Sequence, residues 1–379
     1  MPLSLYIHIP FCAKHCAYCD FNTYVERQEA DIVERTVVAI CTDISRSANE
    51  ISKRSVATVF FGGGTPTLLG ANQITRILET VRNCFDIESG AEISSEANPG
   101  SSDAEKFAAM RAAGFNRLSI GVQSFNNRLL QLLDRFHSTE EANAALNSAR
   151  SAGFTNVNLD LMFGLPGQTL DLWQQSLDTA ASKGVEHLSL YALTLEPGTR
   201  FERLYAGGKL ELPDEDSELE MYERSIDQLT AAGYEHYEVS NFALPGHMCR
   251  HNLVYWHNEE YLGVGPGAVS YLKGRRFTRE RLPARYCNAI DTGSSVEAES
   301  ECVDAHTAMG ETMMLGLRLR EGISADTVEA RFGIDPIRHF EVALERLIAQ
   351  GLLTLEHRRL RLTHRGLLLA NTALAEFLP

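Results

Sequence analysis

The stretch LSLYIHIPFCAKHCAYCDFN, residues 3–22, decides how the rest of the chain is interpreted. It opens with a β-rich apolar run, which predicts a buried strand. Cys12, Cys16 and Cys19 follow that strand at C-x3-C-x2-C spacing. A disulfide uses two thiols, whereas a closed zinc site or a fully protein-ligated iron–sulfur cubane uses four ligands. Three clustered thiols therefore predict a metal site with one position left for another ligand.

Two kinds of metal site are compatible with these cysteines. A zinc site would take its fourth ligand from His15 or His8. A 4Fe–4S cubane would leave one iron open to an exchangeable ligand, as catalytic zinc sites keep an open position. The cubane is favoured, because a zinc site leaves the unusual residues at the other predicted strand ends without an explanation.

The composition is that of a globular protein with reduced cysteines. The chain has 379 residues, 44% of them hydrophobic and 22% charged, and a formal charge of −15. This charge argues against nucleic acid as a partner. No run of about 18 apolar residues predicts a membrane span, and the N-terminus lacks an export signal. Clustered thiols in a reducing compartment bind metals more often than they form disulfides, so we expect a cytoplasmic protein.

Six short apolar runs alternate with amphipathic stretches along the first half of the chain. The predicted strands cover residues 3–9, 56–61, 92–96, 117–122, 156–162 and 185–193. Each run and the helical pattern after it span about 30–40 residues, which is the size of a βα repeat. Parallel strands joined by helices bury such runs. The pattern predicts an α/β fold with a partial TIM-like (β/α)6 barrel.

Unusual residues follow all six predicted strands. The cysteines follow the first strand and GGGTP, residues 62–66, follows the second; the others end near Glu96, Gln123, Asp160 and Ala192. In a βα barrel the carboxyl ends of the strands share one face, where sites are built. The glycines of GGGTP would let a ligand approach exposed backbone N–H groups. The sequence therefore predicts one site assembled from six strand ends.

Two further regions are predicted after the barrel, which we assign to residues 1–240. Residues 241–304 are assigned to an irregular segment, because residues 245–271 within it are rich in Gly, Pro and aromatic residues without helical or strand periodicity. Residues 305–379 show three helical patterns and a hairpin, which predicts a winged-helix-like module. The hairpin carries four arginines, Arg358, Arg359, Arg361 and Arg365. Because this tail is slightly acidic overall, we interpret them as a solvated hairpin or a docking surface rather than a DNA contact.

The cysteine spacing directly after the first strand resembles the signature of the radical S-adenosylmethionine superfamily. The resemblance implies a 4Fe–4S cluster on Cys12, Cys16 and Cys19, with the methionyl amine and carboxylate of S-adenosylmethionine on the open iron. Electron transfer then cleaves the sulfonium to a deoxyadenosyl radical, chemistry that belongs to the cofactor. The resemblance also implies nucleotide contacts from Tyr6, Tyr18, Gly63, Gly64, Thr65, Glu96, Gln123, Arg135, Asp160 and Ala192. Each of these alone is more often a structural residue at a strand end.

Longer motifs extend the resemblance over nearly the whole chain. They are YIHIPFC, FFGGGTPTLL, SSEANP, GVQSF, DLMFGLPGQT and GVGPGAVSY. They resemble the family of oxygen-independent coproporphyrinogen III oxidases and their haem-chaperone relatives. The oxidase pattern has a further cysteine two positions after the third and a longer N-terminus, whereas here Asp20 and Phe21 follow Cys19. Both departures favour the chaperones over the decarboxylating enzymes.

The chaperone-like members carry the motif H-N-x-x-Y-W, which this chain has as HNLVYW at residues 251–256. A neutral imidazole is a good haem-iron ligand, and aromatic rings can cover a porphyrin face. The resemblance makes His251 the leading haem ligand, with Cys249 and His247 as neighbouring candidates. The alternative is that the motif packs a loop against the barrel, with His251 hydrogen-bonded.

The resemblance therefore implies a haem chaperone that binds haem, a 4Fe–4S cluster and S-adenosylmethionine. Its partners would be acceptor haemoproteins, membrane-bound respiratory proteins among them, and a second copy of the chain in a homodimer. The alternatives are radical decarboxylation of coproporphyrinogen III propionates, and another radical reaction on a different substrate. No residue is assigned a catalytic role.

Overall fold

The computed structural model describes residues 2–25, 30–51, 55–101 and 103–378, so the predicted domain ends Met1 and Pro379 lie outside the described residues. The strands are β1 (Leu3–Ile9), β2 (Phe11–Cys12), β3 (Tyr24–Val25), β4 (Ser55–Gly63), β5 (Asp86–Ala97), β6 (Arg117–Gln123), β7 (Val157–Phe163), β8 (His187–Ala192), β9 (Glu235–Glu238), β10 (Asn241–Ala243), β11 (Tyr261–Val264), β12 (Val269–Leu272), β13 (Arg275–Arg279), β14 (Glu297–Cys302), β15 (Ile323–Ser324), β16 (Leu353–Glu356) and β17 (Arg359–Leu362). The α-helices are α1 (Ala30–Glu50), α2 (Ala71–Cys84), α3 (Ala104–Ala113), α4 (Asn127–Leu132), α5 (Thr139–Ser151), α6 (Leu170–Ser182), α7 (Arg200–Ala206), α8 (Glu215–Ala231), α9 (Arg250–Trp256), α10 (Pro283–Asp291), α11 (Ala305–Gly316), α12 (Ala325–Phe332), α13 (Pro336–His339), α14 (Glu341–Ala349), α15 (His364–Leu368) and α16 (Ala370–Ala375).

The six predicted barrel strands are present and lie side by side. β1, β4, β5, β6, β7 and β8 pair in parallel in that order. In β1, Leu5 and Ile7 are buried in the main hydrophobic core, whereas Tyr6 between them lines an interior cavity. This two-residue alternation gives the sheet an apolar face under the helices and a polar concave face. The predicted α/β partial barrel is confirmed.

Side-chain caps fix where several of the connecting helices begin. Asp103 accepts from the Lys106 N–H at the start of α3. Ser138 and Glu141 form a reciprocal capping box at the start of α5, with distances of 3.2 and 2.7 Å. Such caps contribute about 1 kcal/mol each. Within the described ranges, no helix combines the length and apolar character needed to cross a membrane.

The prediction of an irregular segment over residues 241–304 is wrong for most of its length. Helix α9 is followed by β11, which pairs in parallel with β1, and β12, β13 and β14 then extend the sheet antiparallel. Within the residues that the structure describes, the resulting sheet has 12 strands. β11 and β12 were missed because each is only four residues long, too short to show alternation. β11 also contains Gly263, where a Cβ would lie 2.1 Å from the Val269 carbonyl oxygen.

The opposite edge of the sheet is formed by β10 and β9. β10 pairs antiparallel with β8 and then with β9, so the sheet continues past residue 240. The domain boundaries at residues 240 and 304 stay predictions.

The chain beyond residue 305 has a hydrophobic core of its own, which includes Met309, Met313, Leu347 and Leu360. Helices α11, α12 and α14 precede the β16–β17 hairpin, and β15 pairs with β17 to complete a three-stranded sheet. Three helices followed by a hairpin are the order of elements predicted for a winged-helix-like module.

The arginines of the hairpin contact their own module. Arg358 forms an ion pair with Asp326, and both Arg359 and Arg361 donate to the Glu321 carbonyl. Exposed pairs of this kind contribute little stability. They nevertheless hold the hairpin turn against the helices, which fits the interpretation of these arginines as part of a folded, solvated surface.

Candidate functional site: a cavity at the carboxyl ends of the barrel strands

A cavity of about 620 Å³ lies within the barrel, at the strand ends that the sequence analysis identified. Its lining includes the predicted site residues Tyr6, Cys12, Tyr18, Cys19, Gly63, Gly64, Thr65, Glu96, Gln123, Arg135, Asp160, Ala192 and His251. Cys16 lies outside the lining but against the same wall, because the Arg135 guanidinium donates to its Sγ at 3.6 Å. The volume is in the range of small-molecule sites. The predicted residues therefore meet at the face where βα barrels bind ligands.

The three predicted cluster ligands share one loop at the mouth of the cavity. Cys12 Sγ lies 3.7 Å from Thr65 Oγ1, and the Cys19 N–H donates to the Cys16 carbonyl at 3.3 Å. Burial raises the pKa of Cys12 and raises the pKa of Cys19 to about 11, and the neighbouring thiols add to both shifts. Among the residues the structure describes, no three Cys, His, Asp or Glu side chains are already arranged to hold a metal ion. A cluster would have to displace thiol protons as it binds, because the thiolate is the ligand.

In this structure His8 is not free to act as the fourth ligand of a zinc site. Its Nδ1 shares a hydrogen bond with the Tyr6 hydroxyl and its Nε2 donates to the Asn22 carbonyl, both at 3.0 Å. Burial lowers the pKa of His8, so the ring is neutral at pH 7. Because both ring nitrogens are hydrogen-bonded, His8 offers no free nitrogen to a metal. His15 shares one hydrogen bond, from Nδ1 to Thr23 Oγ1 at 3.3 Å.

The GGGTP segment ties the cysteine loop to the second barrel strand. The Gly64 N–H donates to the Ile9 carbonyl and the Thr65 N–H donates to the Phe11 carbonyl, each at 2.8 Å. A Cβ on Gly64 would lie 2.4 Å from the Phe11 carbonyl oxygen. Gly63 has a φ of +107° and donates its N–H to Glu96. The expected exposed N–H groups are therefore not free at Gly63 and Gly64, and the Thr65 N–H is used within the protein as well; ligand contacts from these three residues stay a prediction.

Two carboxyl groups face the cavity, Glu96 from β5 and Asp160 from β7, with β6 between the two strands. Burial, followed by the charge of Asp160, raises the pKa of Glu96 to about 8. Burial also raises the pKa of Asp160, although Asn158 and Ser119 donate to its carboxylate at 2.7 and 3.0 Å. Glu96 is therefore mostly protonated at pH 7 and offers a hydrogen-bond donor, while Asp160 is held as an acceptor.

Arg135, at the mouth of the cavity, has the charge and the donors to stabilise an iron–sulfur cluster that carries an anionic ligand. Arg135 donates from Nη2 to the Gly121 carbonyl at 2.7 Å and from Nη1 to Cys16, while its buried Nε has no partner. Gln123, at the end of β6, has a φ of +64°, which turns the chain sharply at the cavity wall. A cation beside three thiols, with a spare donor, offsets the negative charge that thiolates and a carboxylate bring. The residues present therefore fit the group that the cysteine spacing implies.

HNLVYW is a helix rather than a loop, and it forms the floor of the cavity. The N-terminus of α9 points at a carboxylate from the middle of β5: Glu92 accepts from the N–H groups of Arg250 and His251 at 3.0 and 3.1 Å. Glu92 is buried, and Cys249 Sγ lies 3.6 Å from it. A carboxylate at a helix N-terminus satisfies donors that have no partner within the helix and interacts favourably with its dipole. The sequence gives no local signal for this cap, because the cap comes from a distant strand.

His251 is buried with both ring nitrogens hydrogen-bonded. Its Nδ1 meets Thr58 Oγ1 at 2.8 Å and its Nε2 meets the Tyr255 hydroxyl at 2.9 Å. The ring stacks on Phe60 with centroids 5.1 Å apart. Burial, then the charge of Arg117, lowers the pKa of His251 to about 3, so the imidazole is neutral. The haem-ligand assignment stays a prediction, and it requires Tyr255 to release Nε2.

The far end of α9 contacts the C-terminal module rather than the cavity. The Arg318 guanidinium lies over the Trp256 ring, 4.7 Å from its centroid. Just beyond the helix, Asn258 donates to Thr312 Oγ1 at 3.0 Å and accepts from Arg331 at its carbonyl at 2.6 Å. Within the HNLVYW motif, Trp256 therefore contacts the C-terminal module, whereas His251 faces the cavity. The predicted neighbours Cys249 and His247 do not line the cavity.

The mouth of the cavity carries exposed aromatic rings that the sequence analysis did not assign to the site. Phe21 is 66% exposed and Phe136 is 48% exposed, and both line the cavity. Tyr191, beside the predicted Ala192, is 40% exposed on the same lining. Large exposed aromatic groups around a cavity mark a binding surface. Phe21 had a signal in the sequence, as the residue standing where the oxidase pattern has a cysteine, and Tyr191 had one as an end residue of the sixth predicted strand, whereas Phe136 had none.

Comparison with known proteins agrees with this architecture. The Radical SAM superfamily model matches residues 6–180, and the HemN C-terminal domain model matches residues 303–369. A Mycobacterium tuberculosis protein named Heme chaperone HemW is 40% identical over 378 residues, which cover 100% of this chain and 95% of that protein. A Bacillus subtilis protein of the same name is 37% identical over 99% of both chains. The structure of coproporphyrinogen III oxidase (HemN) from Escherichia coli superposes with a TM-score of 0.86 at 28% identity, over 99% of this chain and 90% of that one.

The partial barrel, the three-cysteine loop after its first strand and the HemN-like C-terminal module define a radical-S-adenosylmethionine-type protein. The predicted superfamily resemblance is thus confirmed. Within that class, the chain belongs to the heme chaperone HemW family. The oxidase is a relative that shares the fold at lower sequence identity.

Proposed function

We propose that this protein is a haem chaperone, which holds haem at the barrel cavity and releases it to acceptor haemoproteins. One observation carries the proposal: the cysteine loop, His251 and an exposed aromatic rim converge on a single cavity. Relatives named as heme chaperones over the full chain length support it. Phe21 supports it further, because an exposed ring stands where the oxidase pattern has a cysteine.

In this proposal the mouth binds the cluster and the nucleotide. Cys12, Cys16 and Cys19 would hold a 4Fe–4S cluster, which with S-adenosylmethionine supplies one-electron chemistry when bound. Arg135 offsets the charge of the Cys16 thiolate and presents its spare Nε to a carboxylate. Glu96, held mostly protonated, donates a hydrogen bond into the cavity. Tyr6, Tyr18, Gly63, Gly64, Thr65, Gln123, Asp160 and Ala192 complete the proposed nucleotide contacts.

The floor and the rim bind the haem. His251 ligates the iron through Nε2 once the Tyr255 hydroxyl has moved away, while Thr58 keeps its bond to Nδ1 and fixes the ring. Phe21 and Phe136 cover the porphyrin face with apolar surface. Because the Tyr255 hydroxyl competes with the iron for one nitrogen, it weakens the iron bond and favours release of the haem. A reversible bond is what a carrier needs in order to release its cargo.

Titration of the anaerobically reconstituted protein with haemin tests this site. We expect a shifted Soret band in the wild type, and at least about tenfold weaker binding in His251→Ala, a loss typical of removing one strong polar contact. His247→Ala and Cys249→Ala are the matched controls from the same segment, and both should bind as the wild type does. Binding that survives His251→Ala but fails in a control would move the ligand to that control residue. Absence of any Soret shift in the wild type would remove haem from the proposal.

A second function is favoured by one observation, the superposition on the oxidase HemN over nearly the whole chain. Radical decarboxylation of coproporphyrinogen III would give protoporphyrinogen under anaerobic reduction with S-adenosylmethionine. We expect no such product, because Phe21 replaces the additional cysteine. Formation of protoporphyrinogen at many turnovers per protein would favour the oxidase function over the haem chaperone function. Deoxyadenosine without haem or porphyrin dependence would favour another radical reaction.

The proposal extends to partners and location. Haem would pass to acceptor haemoproteins, membrane-bound respiratory proteins among them, from a cytoplasmic protein that forms a homodimer. Mixing the haem-loaded protein with an apo-haemoprotein and recording the acceptor's Soret band tests the transfer. Light scattering of the loaded and unloaded protein tests the dimer. A loaded monomer that transfers haem would remove the dimer and keep the transfer.

A further inference from the structure

The inner part of the cavity, around Arg117, Ser119 and Asn158, is called its closed end here. It contains the buried guanidinium of Arg117, which the proposed function does not use. Arg117 begins β6, is 2% exposed and lines the cavity together with Ser119 and Asn158. Its Nε has no hydrogen-bond partner, and in the part of the chain that the structure describes, no hydrogen bond or ion pair reaches the guanidinium. Buried charges are normally paired, because removing an ion from water costs several kcal/mol.

A second buried arginine shows what the ordinary arrangement looks like. Arg279 is 7% exposed and its Nε also lacks a partner, but its Nη2 forms an ion pair with Asp43 at 3.1 Å and donates to Ser47 at 2.8 Å. These contacts tie β13 to α1 and lie outside the cavity. Arg117 has no comparable contact, although it is buried more deeply. The difference is that Arg117 faces a cavity, so a bound group can supply the missing partner.

The carboxylates around Arg117 already have other partners. Glu92 accepts from the N–H groups at the start of α9, and Asp160 accepts from Ser119 and Asn158. Burial alone lowers the pKa of Arg117, but the acidic groups around it, Cys249 and Glu92 first, raise that pKa. The guanidinium is therefore charged and open on its cavity side. Because burial raises the pKa of Cys249 to about 12, the attraction at pH 7 comes from the carboxyl groups of Glu92 and Asp160, which do not contact it.

We propose that Arg117 is the base of a carboxylate-binding subsite at the closed end of the cavity. A guanidinium binds a carboxylate through two parallel N–H···O bonds, which are strong where water is excluded. Haem carries propionates and S-adenosylmethionine carries a methionyl carboxylate, so both ligands of the proposed function, on which this inference rests, offer the group; the methionyl carboxylate reaches Arg117 only in a pose that leaves the open iron and Arg135. For haem the contact would fix the direction of the porphyrin, since a single iron–imidazole bond leaves the ring free to turn.

Ligands with and without their carboxylates test the subsite on the full-length reconstituted protein. One arm compares haemin with haemin dimethyl ester, which keeps the iron and the ring. The other arm compares S-adenosylmethionine with its decarboxylated analogue. Each pair is titrated into the wild type, Arg117→Met, which keeps the apolar stem, and Arg117→Lys, which keeps the charge but loses the fork. Arg279→Lys is the matched control at a buried arginine outside the cavity.

The wild type should bind the free acid of one ligand at least about tenfold more tightly than its blocked form, as charge-assisted hydrogen bonds do. Arg117→Met should abolish that preference, Arg117→Lys should keep part of it, and Arg279→Lys should keep all of it. The arm that shows this pattern identifies the carboxylate as a propionate or as the methionyl group. The subsite is overturned if Arg117→Met keeps every preference that the wild type shows, or if the wild type shows no preference in either arm.

The outcomes separate the subsite from the proposed function. If the wild type binds neither haemin nor its ester, the haem function fails and the nucleotide arm alone decides the subsite. If haemin and its ester bind equally and the nucleotide arm shows no preference, haem binding stands and the subsite falls. If Arg117→Met does not fold, two measurements still decide whether the subsite exists. They are the preference of the wild type for the free acid over the blocked ligand, and the reduction of that preference in Arg117→Lys.

Discussion

The mouth and the floor of the cavity are held together by contacts of different range. At the mouth, three cysteines lie within residues 12–19, and the Cys19 N–H bonds to the Cys16 carbonyl. At the floor, His251 is held by Thr58 and Glu92, which are 193 and 159 residues away in the chain. The ligand spacing at the mouth is local, although Thr65 and Arg135 contact the loop from other parts of the chain, whereas both contacts that hold His251 at the floor are long-range. The ligand set of the mouth can therefore be recognised from adjacent residues, whereas the contacts of the floor cannot.

The largest effect we expect is at the mouth, from Cys12→Ser, Cys16→Ser and Cys19→Ser. Each variant should lose the cluster, because a hydroxyl is a poor ligand for iron and two thiolates do not hold a cubane. The floor should be unaffected, so His251-dependent haemin binding should persist. Iron and sulfide analysis of reconstituted protein measures the first effect and a Soret titration the second. Retention of a full cluster in all three variants would contradict the assignment.

At the floor, Glu92→Leu should lower the free energy of unfolding by about 3 kcal/mol, because it leaves two buried N–H groups of α9 without a partner. Glu92→Gln keeps one acceptor oxygen and should cost less. Urea unfolding measures both. Glu88→Leu, an exposed position on the same strand, is the control and should change stability by less than about 0.5 kcal/mol. Equal midpoints for Glu92→Leu and Glu88→Leu would show that α9 does not depend on this cap.

Between mouth and floor, Glu96 should make stability depend on pH. Its pKa is raised to about 8 in the folded protein from an ordinary value of 4.5. Between these values the folded state holds a proton that the unfolded state has released, so stability falls as pH rises, by at most about 1.4 kcal/mol per pH unit, and levels off above pH 8. Glu96→Gln should flatten this slope in urea unfolding from pH 5 to 8.5. If the wild type and Glu96→Gln show the same slope, the pH dependence of stability arises from other groups.

The smallest effect should come from Tyr255→Phe, which frees Nε2 of His251 from its hydrogen bond. Haemin should then bind about two- to tenfold more tightly, the worth of one ordinary hydrogen bond. Tyr261→Phe is the control, since Tyr261 packs edge-on against Tyr255 with centroids 4.8 Å apart. Weaker haemin binding in Tyr255→Phe would mean that the hydroxyl assists the iron instead of competing with it.

The barrel was predictable because its signals are local. Apolar runs such as residues 3–9 mark the parallel strands, and their order follows from short βα connections. The cysteine loop was predictable for the same reason, because ligand spacing is a property of a few adjacent residues. The strand-end residues converged because parallel strands present their carboxyl ends on one face.

The floor was not predictable, and the reasons are physical. Helix α9 spans seven residues, too few to show an amphipathic period, and its cap comes from Glu92 on another strand. Residues 62–66 were expected to present free N–H groups, but whether a backbone donor is free depends on what folds against it. Exposed rings such as Phe136 give no signal at all, since exposure is a property of the assembled surface.

Helix α9 also has a consequence for how truncated forms of this protein behave. A seven-residue helix is about 10 Å long, with the cavity histidine near its start and Trp256 at its end, under the Arg318 guanidinium. Removing the chain beyond residue 305 would strip that guanidinium from the indole and take the Thr312 partner from Asn258. Truncation at the predicted boundary therefore loosens the ligand pocket as well as deleting the tail. Point changes on the outer surface of the module are the cleaner way to ask what the tail does.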